Sequence, residues 1–366
     1  PPVGRSERQA MAHNTDPAKQ DRKQRTLESD AATDRRVDAL VTEGYSIQDA
    51  ISEASPGDVI GLGNGTFSEQ VVVDKELTLV GLGSGTTTIR SPASVSRRFR
   101  WNDNPVTPVV SIEADNVTVR GLSIERSPSV SETRTVVGVA GRDASTSLTD
   151  ISVESAESEQ HDIGILVSNT DGLDRRITIE NCDIRNYQYS GIVAAGSGLD
   201  FRVAETTVAG LGPIRANRQQ GIRVSGADRA TLLGNTVADN YFTNSSTSAG
   251  VIVVDVPDAF LAWNDIEGNN NGIAARGRGD IMARRNNIIV NDTGALNLGT
   301  ASFDATHSWW GTDDGPSTSA IWACDESETP SNHPDGSGDA VAGVDWRPFE
   351  RSQVDTGIWE RVDVDI

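Results

Sequence analysis

From residue 117 onward the chain repeats one apolar template: an apolar residue, a second two positions on, and a third five positions further. It fits Val117/Val119/Ile124, Ile177/Ile179/Ile184, Phe201/Val203/Val208 and Ala230/Leu232/Val237. It continues through Ala259/Leu261/Ile266, Ile281/Ala283/Ile288 and Phe303/Ala305/Trp310. From Ile184 the third position returns after 24, 29, 29, 22 and 22 residues. A second marker, glycine followed by apolar residues at the first and third positions, recurs at Gly164, Gly191, Gly221, Gly250, Gly272 and Gly294. Alternation with a period of two predicts strands. A repeat of this length makes each unit one turn of a solenoid. Two residues before the third apolar position stand Cys182, Thr206, Asn235, Asn264, Asn286 and Ser308. Stacked coils lie about 4.8 Å apart, so these small polar side chains are expected to form one column that hydrogen-bonds along the stack and satisfies a sharp turn.

The flanks differ. Residues 1–25 are charged, have almost no apolar content and are expected to be disordered. The spacing of Leu27, Ala31, Val37, Leu40 and Val41 predicts a helix within 26–43. Ser46 is placed to cap a second, short helix carrying Ile47, Ala50, Ile51 and Ala54, which Pro56-Gly57-Asp58 ends. After Pro316 the pattern stops. The tail holds Trp322, Trp346 and Trp359 among Gly, Pro and acidic residues, and would cap the open end of the solenoid or serve as an assembly arm. The expected organisation is a charged segment over 1–44, a solenoid over 45–316 and a capping or assembly tail over 317–366.

The segment Ile47 to Gly81, IQDAISEASPGDVIGLGNGTFSEQVVVDKELTLVG, resembles the opening of pectin-lyase-like right-handed β-helices, in which a short helix caps the first coil. The glycine-marked repeats resemble the NosD-like group. Trp309-Trp310-Gly311 followed by Gly315-Pro316 is similar to the sequence that closes such solenoids. The resemblance implies an all-β, single-stranded right-handed parallel β-helix with a short helical N-terminal cap and an irregular C-terminal cap. It implies little about activity, because this scaffold hosts many functions.

Composition narrows the setting. The net charge is −21, and of 32 basic residues only Lys19, Lys23 and Lys75 are lysines. A lysine-poor, carboxylate-rich surface resembles that of halophilic archaeal proteins or their viruses. Such charge disfavours nucleic acid and anionic membranes. No apolar run is long enough to span a membrane. No export signal is visible in the polar N-terminal stretch. Cys182 and Cys324 make no disulfide framework.

The chemistry expected of related folds finds few matching residues. Asn169-Thr170-Asp171-Gly172 matches the first motif of polygalacturonase-like enzymes, but their other motifs are missing, and the tetrapeptide reads better as a turn. Asp183 and Asp265 occupy equivalent outward positions three coils, or about 14 Å, apart. That is too far for a shared calcium ion or an acid/base pair. His13, His161, His307, His333, Met11 and Met282 do not cluster in the repeat register, so no copper site is expected. No cofactor is expected.

One constellation is richer. Tyr187, Tyr189, Tyr241 and Phe242 fall in loops before Gly191 and Gly250, with Arg215, Arg218, Gln219 and Gln220 in the intervening loop and Asp239 beside Tyr241. Aromatic faces with planar hydrogen-bonding groups suit sugars, against the alternative that loop tyrosines pack their own loops. A second feature concerns partners. If the residue after each marker glycine points inward, then Leu166, Val193, Arg223, Ile252, Ala274 and Leu296 point outward. Leu166, Val193, Ile252 and Leu296 then form an apolar stripe to be covered by residues 26–43, by the tail, or by another subunit, as in a trimer.

The expectation is an extracellular, cell-surface or virion β-helix protein that engages a polysaccharide or surface glycan without catalysis. The alternatives are a lyase or glycosidase with a divergent site, and a structural spike or surface component. The charge pattern also predicts a salt requirement, because crowded carboxylates repel one another as screening fades. Circular dichroism from molar to millimolar salt should show loss of β-structure. A spectrum indifferent to salt would remove the halophilic reading.

Overall fold

The structure, a computed structural model, describes residues 37–96, 98–126, 136–154, 162–215, 217–244, 248–318 and 336–356. The expected disorder over 1–25, most of the helix expected over 26–43, and His161, Trp322, Cys324 and Trp359 fall outside them.

The strands stack in parallel into an 18-stranded and an 11-stranded sheet. A full coil carries three strands, such as Arg175–Glu180, Asp183–Arg185 and Ser190–Ala195. The next coil repeats them as Leu199–Ala204, Thr207–Ile214 and Gln220–Ser225. The first two strands of each coil belong to the larger sheet and the third to the smaller. The apolar template fixes the register: Ile177, Phe201, Ala230, Ala259, Ile281 and Phe303 pair in succession and are all buried. A one-residue slip would turn every one of them outward. Each aliphatic side chain so buried contributes roughly 1.5–3 kcal/mol. The sum over one continuous core column is what holds the coils together.

Between the first and second strands the chain turns through one residue in the left-handed region. Asn181, Glu205, Gly234, Trp263, Arg285 and His307 hold this position, with φ between 48° and 62°. Side chains other than Gly, Asn and Asp seldom adopt it, so something must compensate. The next residue in each case is the predicted polar column. Asn264 Oδ1 accepts from both the backbone N and Nδ2 of Asn235, each at 2.9 Å, while its own Nδ2 donates to Leu232 O at 3.0 Å. Asn286 does the same for Asn264. Thr206 N donates to Asn235 Oδ1 at 3.0 Å, Cys182 N to Thr206 Oγ1, and Asn286 N to Ser308 Oγ. All six side chains are buried. Burial pushes the Cys182 thiol up to about 12, so this cysteine acts as a small core residue.

A second ladder, absent from the sequence reading, lines the turn between the second and third strands. Asn240, Asn269 and Asn291 bond in succession at 2.9–3.0 Å through the same backbone-and-amide pair. Each follows a left-handed residue: Asp239, Gly268 and Val290.

The two ends are closed differently. Strand Ala39–Val41 pairs with Val59–Leu62, so the described part of the predicted 26–43 helix holds a strand instead, with Val41 buried. Helix Ile47–Glu53 presses Ile47, Ala50 and Ile51 onto the first coil. Glu69 Oε1 accepts from Ile47 N at 2.6 Å and Oε2 from Gln48 N at 3.1 Å, satisfying first-turn amides. The Gln48 side chain pairs with Val72 N and O like a strand neighbour and blocks that sheet edge. At the other end strand Gly338–Ala342 pairs with Thr293–Asn297. Trp310, Val341 and Trp346 complete the core there.

The stripe requires a correction. Its phase is as expected: Ile165, Ile192, Ile222, Val251 and Ile273 enter the main core, whereas Leu166, Val193, Ile252 and Ala274 lie in separate outer clusters. It does not, however, offer a subunit interface. Leu166 and Val193 are fully buried, packed with Phe99 and Val106 from the antiparallel hairpin Phe99–Trp101/Asn104–Val106. Ile252 and Leu296 are buried as well. For Leu166 and Val193 the cover among the described residues is this local insertion. The whole row is closed within one chain, which removes the motive for a trimer through this face.

Candidate functional site

The predicted sugar patch divides between core and surface. Tyr187 is fully buried, and its hydroxyl donates to Asn240 Oδ1 at 2.6 Å. It follows the left-handed Asn186 and so occupies the second ladder's own register, with a phenol where later coils use asparagine. Burial pushes its pKa well above the usual phenol value. Tyr187 is therefore no stacking platform. Gln219 is also fully buried, and its Nε2 donates to Tyr187 O. Tyr189 is half-buried and packs with Trp101 on the hairpin cluster.

Tyr241, Phe242, Arg215, Arg218 and Asp239 do reach the surface. Pairing of Pro213 with Tyr241 and of Ile214 with Phe242 brings two of the loops side by side. Asn244 Nδ2 ties them further by donating to Arg215 O at 2.9 Å.

From here the structure extends the patch along the stack, toward residues the sequence did not single out. Phe242 N donates to Asn270 Oδ1 at 2.8 Å, and Asn270 Nδ2 to Asp292 Oδ2 at 3.0 Å. The Asp292 carboxylate beside Tyr241 holds its phenol above the ordinary pKa. The Phe242 amide, Asn270 and Asp292 thus form a bonded row at the second turn, in which Asn270 is buried while Tyr241 and Asp292 reach the surface. Asp292 in turn lines a cleft of about 460 Å³, with Val290, Trp309, Trp310, Thr312 and Asp339 among its walls. Trp309 is half-buried, whereas Trp310 belongs to the core. Val290 is 77% exposed, with φ of 59°. A β-branched residue in this region is strained, and such strain concentrates at functional sites.

Asp339 comes from the end strand and takes the position after Asn291 in the second ladder. Its Oδ2 accepts from Asn291 N at 2.9 Å and Nδ2 at 2.8 Å. Burial pushes its pKa up to about 6, against the lowering by these bonds and with a further upward push from the Asp292 charge. Neighbouring Asp314 is the reverse: hydrogen bonds from Thr312 and Ser337 hold its pKa below the usual carboxylate range and staple the terminal loop.

The other candidates are structural. Asn169 Nδ2 donates to Leu173 O at 2.8 Å, and Asp171 Oδ1 accepts from Leu173 N at 3.0 Å, the turn expected for that tetrapeptide. Beside it a shallow 680 Å³ groove is lined by Arg176, Asp200, Arg229 and Asp258. These charges already pair, Arg176 with Asp200 at 3.0 Å and Arg229 with Asp258 at 3.1 Å. Among the described residues no group of three or more His, Cys, Asp or Glu is placed to hold a metal ion.

Comparison with known proteins bears on the fold. A family described as "Right handed beta helix region" matches residues 163–307. The fold is a right-handed parallel β-helix. No curated protein matches the chain in sequence. Similar solved structures include a pectin methylesterase from Erwinia chrysanthemi, at 12% identity and a TM-score of 0.42 over 66% of this chain and 81% of that one. Another is tailspike protein 2 of an Escherichia coli O157:H7 bacteriophage, at 10% identity and 0.47 over 84% of this chain and 39% of that one. A third is a mannuronan C-5 epimerase module from Azotobacter vinelandii, at 15% and 0.32 over 83% and 94%. Similarity at this level carries no argument about activity.

The Asp339 environment gives a pH signature. Its folded pKa of about 6 lies above the 3.8 of an unperturbed aspartate. The stability it contributes is therefore fully present below about 3.8 and is lost as pH rises through about 6. Asp339→Asn should stabilise the end strand at pH 8 by on the order of 3 kcal/mol, and the gain should vanish near pH 4. Denaturant unfolding of both proteins across this range is the check. A gain independent of pH would contradict the assignment.

Proposed function

We propose that this chain is an extracellular or particle-surface protein of a salt-adapted source that binds a polysaccharide along the outer edge of its last coils, without cleaving it. The occupied path runs from Arg215 and Phe242 through Tyr241 and Asp292 to Trp309. The observation that carries this reading is the surface pair of Tyr241 and Asp292, held in line by the buried Asn270 beneath them and opening into a cleft walled by Trp309. Sugars combine C–H faces that lie on aromatic rings with hydroxyls that need planar donors and acceptors, and this row supplies both. Successive coils repeat at about 4.8 Å, so the row is linear, as an extended chain of sugars requires.

The non-catalytic part rests on how the nearby carboxylates are engaged. Asp292 accepts from Asn270, Asp314 from Thr312 and Ser337, and Asp339 from Asn291. Each is tied into the scaffold by hydrogen bonds. A purely structural spike role has less support, because the apolar stripe that would have joined subunits is buried within the chain.

Binding of the full chain to a glycan array, followed by titration of the best ligand, tests the reading. A stacked ring contributes about 1 kcal/mol beyond area burial, so Tyr241→Ala combined with Trp309→Ala should weaken binding tenfold or more. Affinity unchanged in the double variant, or no glycan bound at all, would refute it.

A further inference from the structure

We infer that the glycan held in this cleft bears methyl groups, as a 6-deoxy or an N-acetylated sugar does, and that Val290 selects them. The inference rests on the binding reading above and assigns its substrate class. It starts from one side chain on which two costs fall together. Val290 is 77% exposed, more than any other large hydrophobic side chain among the described residues. It is also the one β-branched residue among their non-glycine positions of positive φ. The left-handed region crowds Cβ against the following carbonyl oxygen, and a branch at Cβ worsens the clash. The turn itself does not require valine. In the two preceding coils the same position, one residue before a ladder asparagine, is held by Asp239 at φ 59° and Gly268 at φ 66°. Both tolerate that conformation better. The core gains nothing either, since the Val290 side chain stands in water. A residue that strains the backbone and buries little in the free protein marks a functional position.

The surroundings of Val290 say what it meets. It lines the cleft together with Ile289 and Trp309. Gly311, in the last coil, lies against Ile289: a Cβ there would stand 3.6 Å from Ile289 Cγ2. A side chain at 311 would therefore cover Ile289, and glycine leaves it half-buried beside the cleft. Ile289, Val290 and the Trp309 ring thus make an apolar strip, while Thr312, Ser337 and Asp292 bring hydrogen-bonding groups to the same cleft. A sugar hydroxyl placed on the strip would lose its water without gaining a partner. The C–H face of a sugar ring suits Trp309. The two aliphatic side chains suit a small apolar group projecting from that ring. The methyl of a 6-deoxyhexose and the methyl of an acetamido group are of this kind, and contact with either would take Val290 out of water.

Titration calorimetry on the full chain compares two pairs of probes that differ only at the methyl-bearing group. One is an α-L-rhamnose tetrasaccharide against its L-mannose counterpart, the other the chitin tetrasaccharide against its N-formyl counterpart. In at least one pair the methyl-bearing member should bind about tenfold tighter, and the pair that shows the difference identifies the source of the methyl. Val290→Gly should abolish that preference and at the same time raise the melting temperature by about 2 °C, because strain is relieved as the contact is lost. Val290→Asn should do the same. A melting temperature lowered by both substitutions would make Val290 a structural residue and overturn the inference. Equal affinity or no affinity within both pairs, or a preference that survives both substitutions, would overturn it as well. In each of these cases the binding reading stands if Tyr241→Ala with Trp309→Ala still weakens binding of the best ligand on a glycan array. Failure of the full chain to bind any glycan on that array would overturn both.

Discussion

Every coil of this protein must turn sharply twice while keeping the turn's backbone groups inside, away from water. A buried amide without a partner costs about 1–3 kcal/mol, and here the cost recurs in each coil. The solution is a side chain that behaves like a piece of the neighbouring strand. Asn264 accepts from the backbone and side chain of Asn235 with one oxygen and repays Leu232 O with its own amide. Once one coil is set, the next has its turn position dictated, which is why the chain tolerates Glu205, Trp263 and His307 in a backbone region such residues avoid.

The candidate site follows from the same constraint. Because the second turn's inner side is consumed by Asn240, Asn269 and Asn291, Tyr241 and Asp292, just after the first and last of them, reach the surface, while Asn270 between them is buried and bonds to Asp292. The ladder's regularity makes the surface row regular. Where the ladder ends, the end strand delivers Asp339 to the final rung and opens the cleft at Trp309. The surface chemistry is thus written one residue away from the scaffold chemistry.

This adjacency explains what could be read from the sequence. The apolar template and the first polar column were legible because each coil repeats the same residue types between strands of fixed length. The second ladder was hidden, although Asn240, Asn269 and Asn291 keep the 29- and 22-residue intervals of Asn235, Asn264 and Asn286. Upstream, the position is held by Tyr187, which is polar only at its tip, and the loops there vary in length. For the same reason Tyr187 was read as a surface ring when it is a rung. Tyr241 was legible as an exposed aromatic. Its neighbour Asp292 was not, since an acidic residue in so acidic a chain carries no signal alone. Asp339 lies past the repeats in a tail without periodicity, and the hairpin that covers Leu166 and Val193 is an insertion that follows no template.

The most direct test of the account is the denaturant unfolding midpoint of Asn264→Ala. It should fall by an amount equivalent to roughly 2–4 kcal/mol. The substitution strands two buried donors of Asn235 and a buried acceptor at Leu232 while removing little apolar area. A loss below about 1 kcal/mol would mean that apolar stacking alone sets the coils, and the ladders would be passengers of the fold.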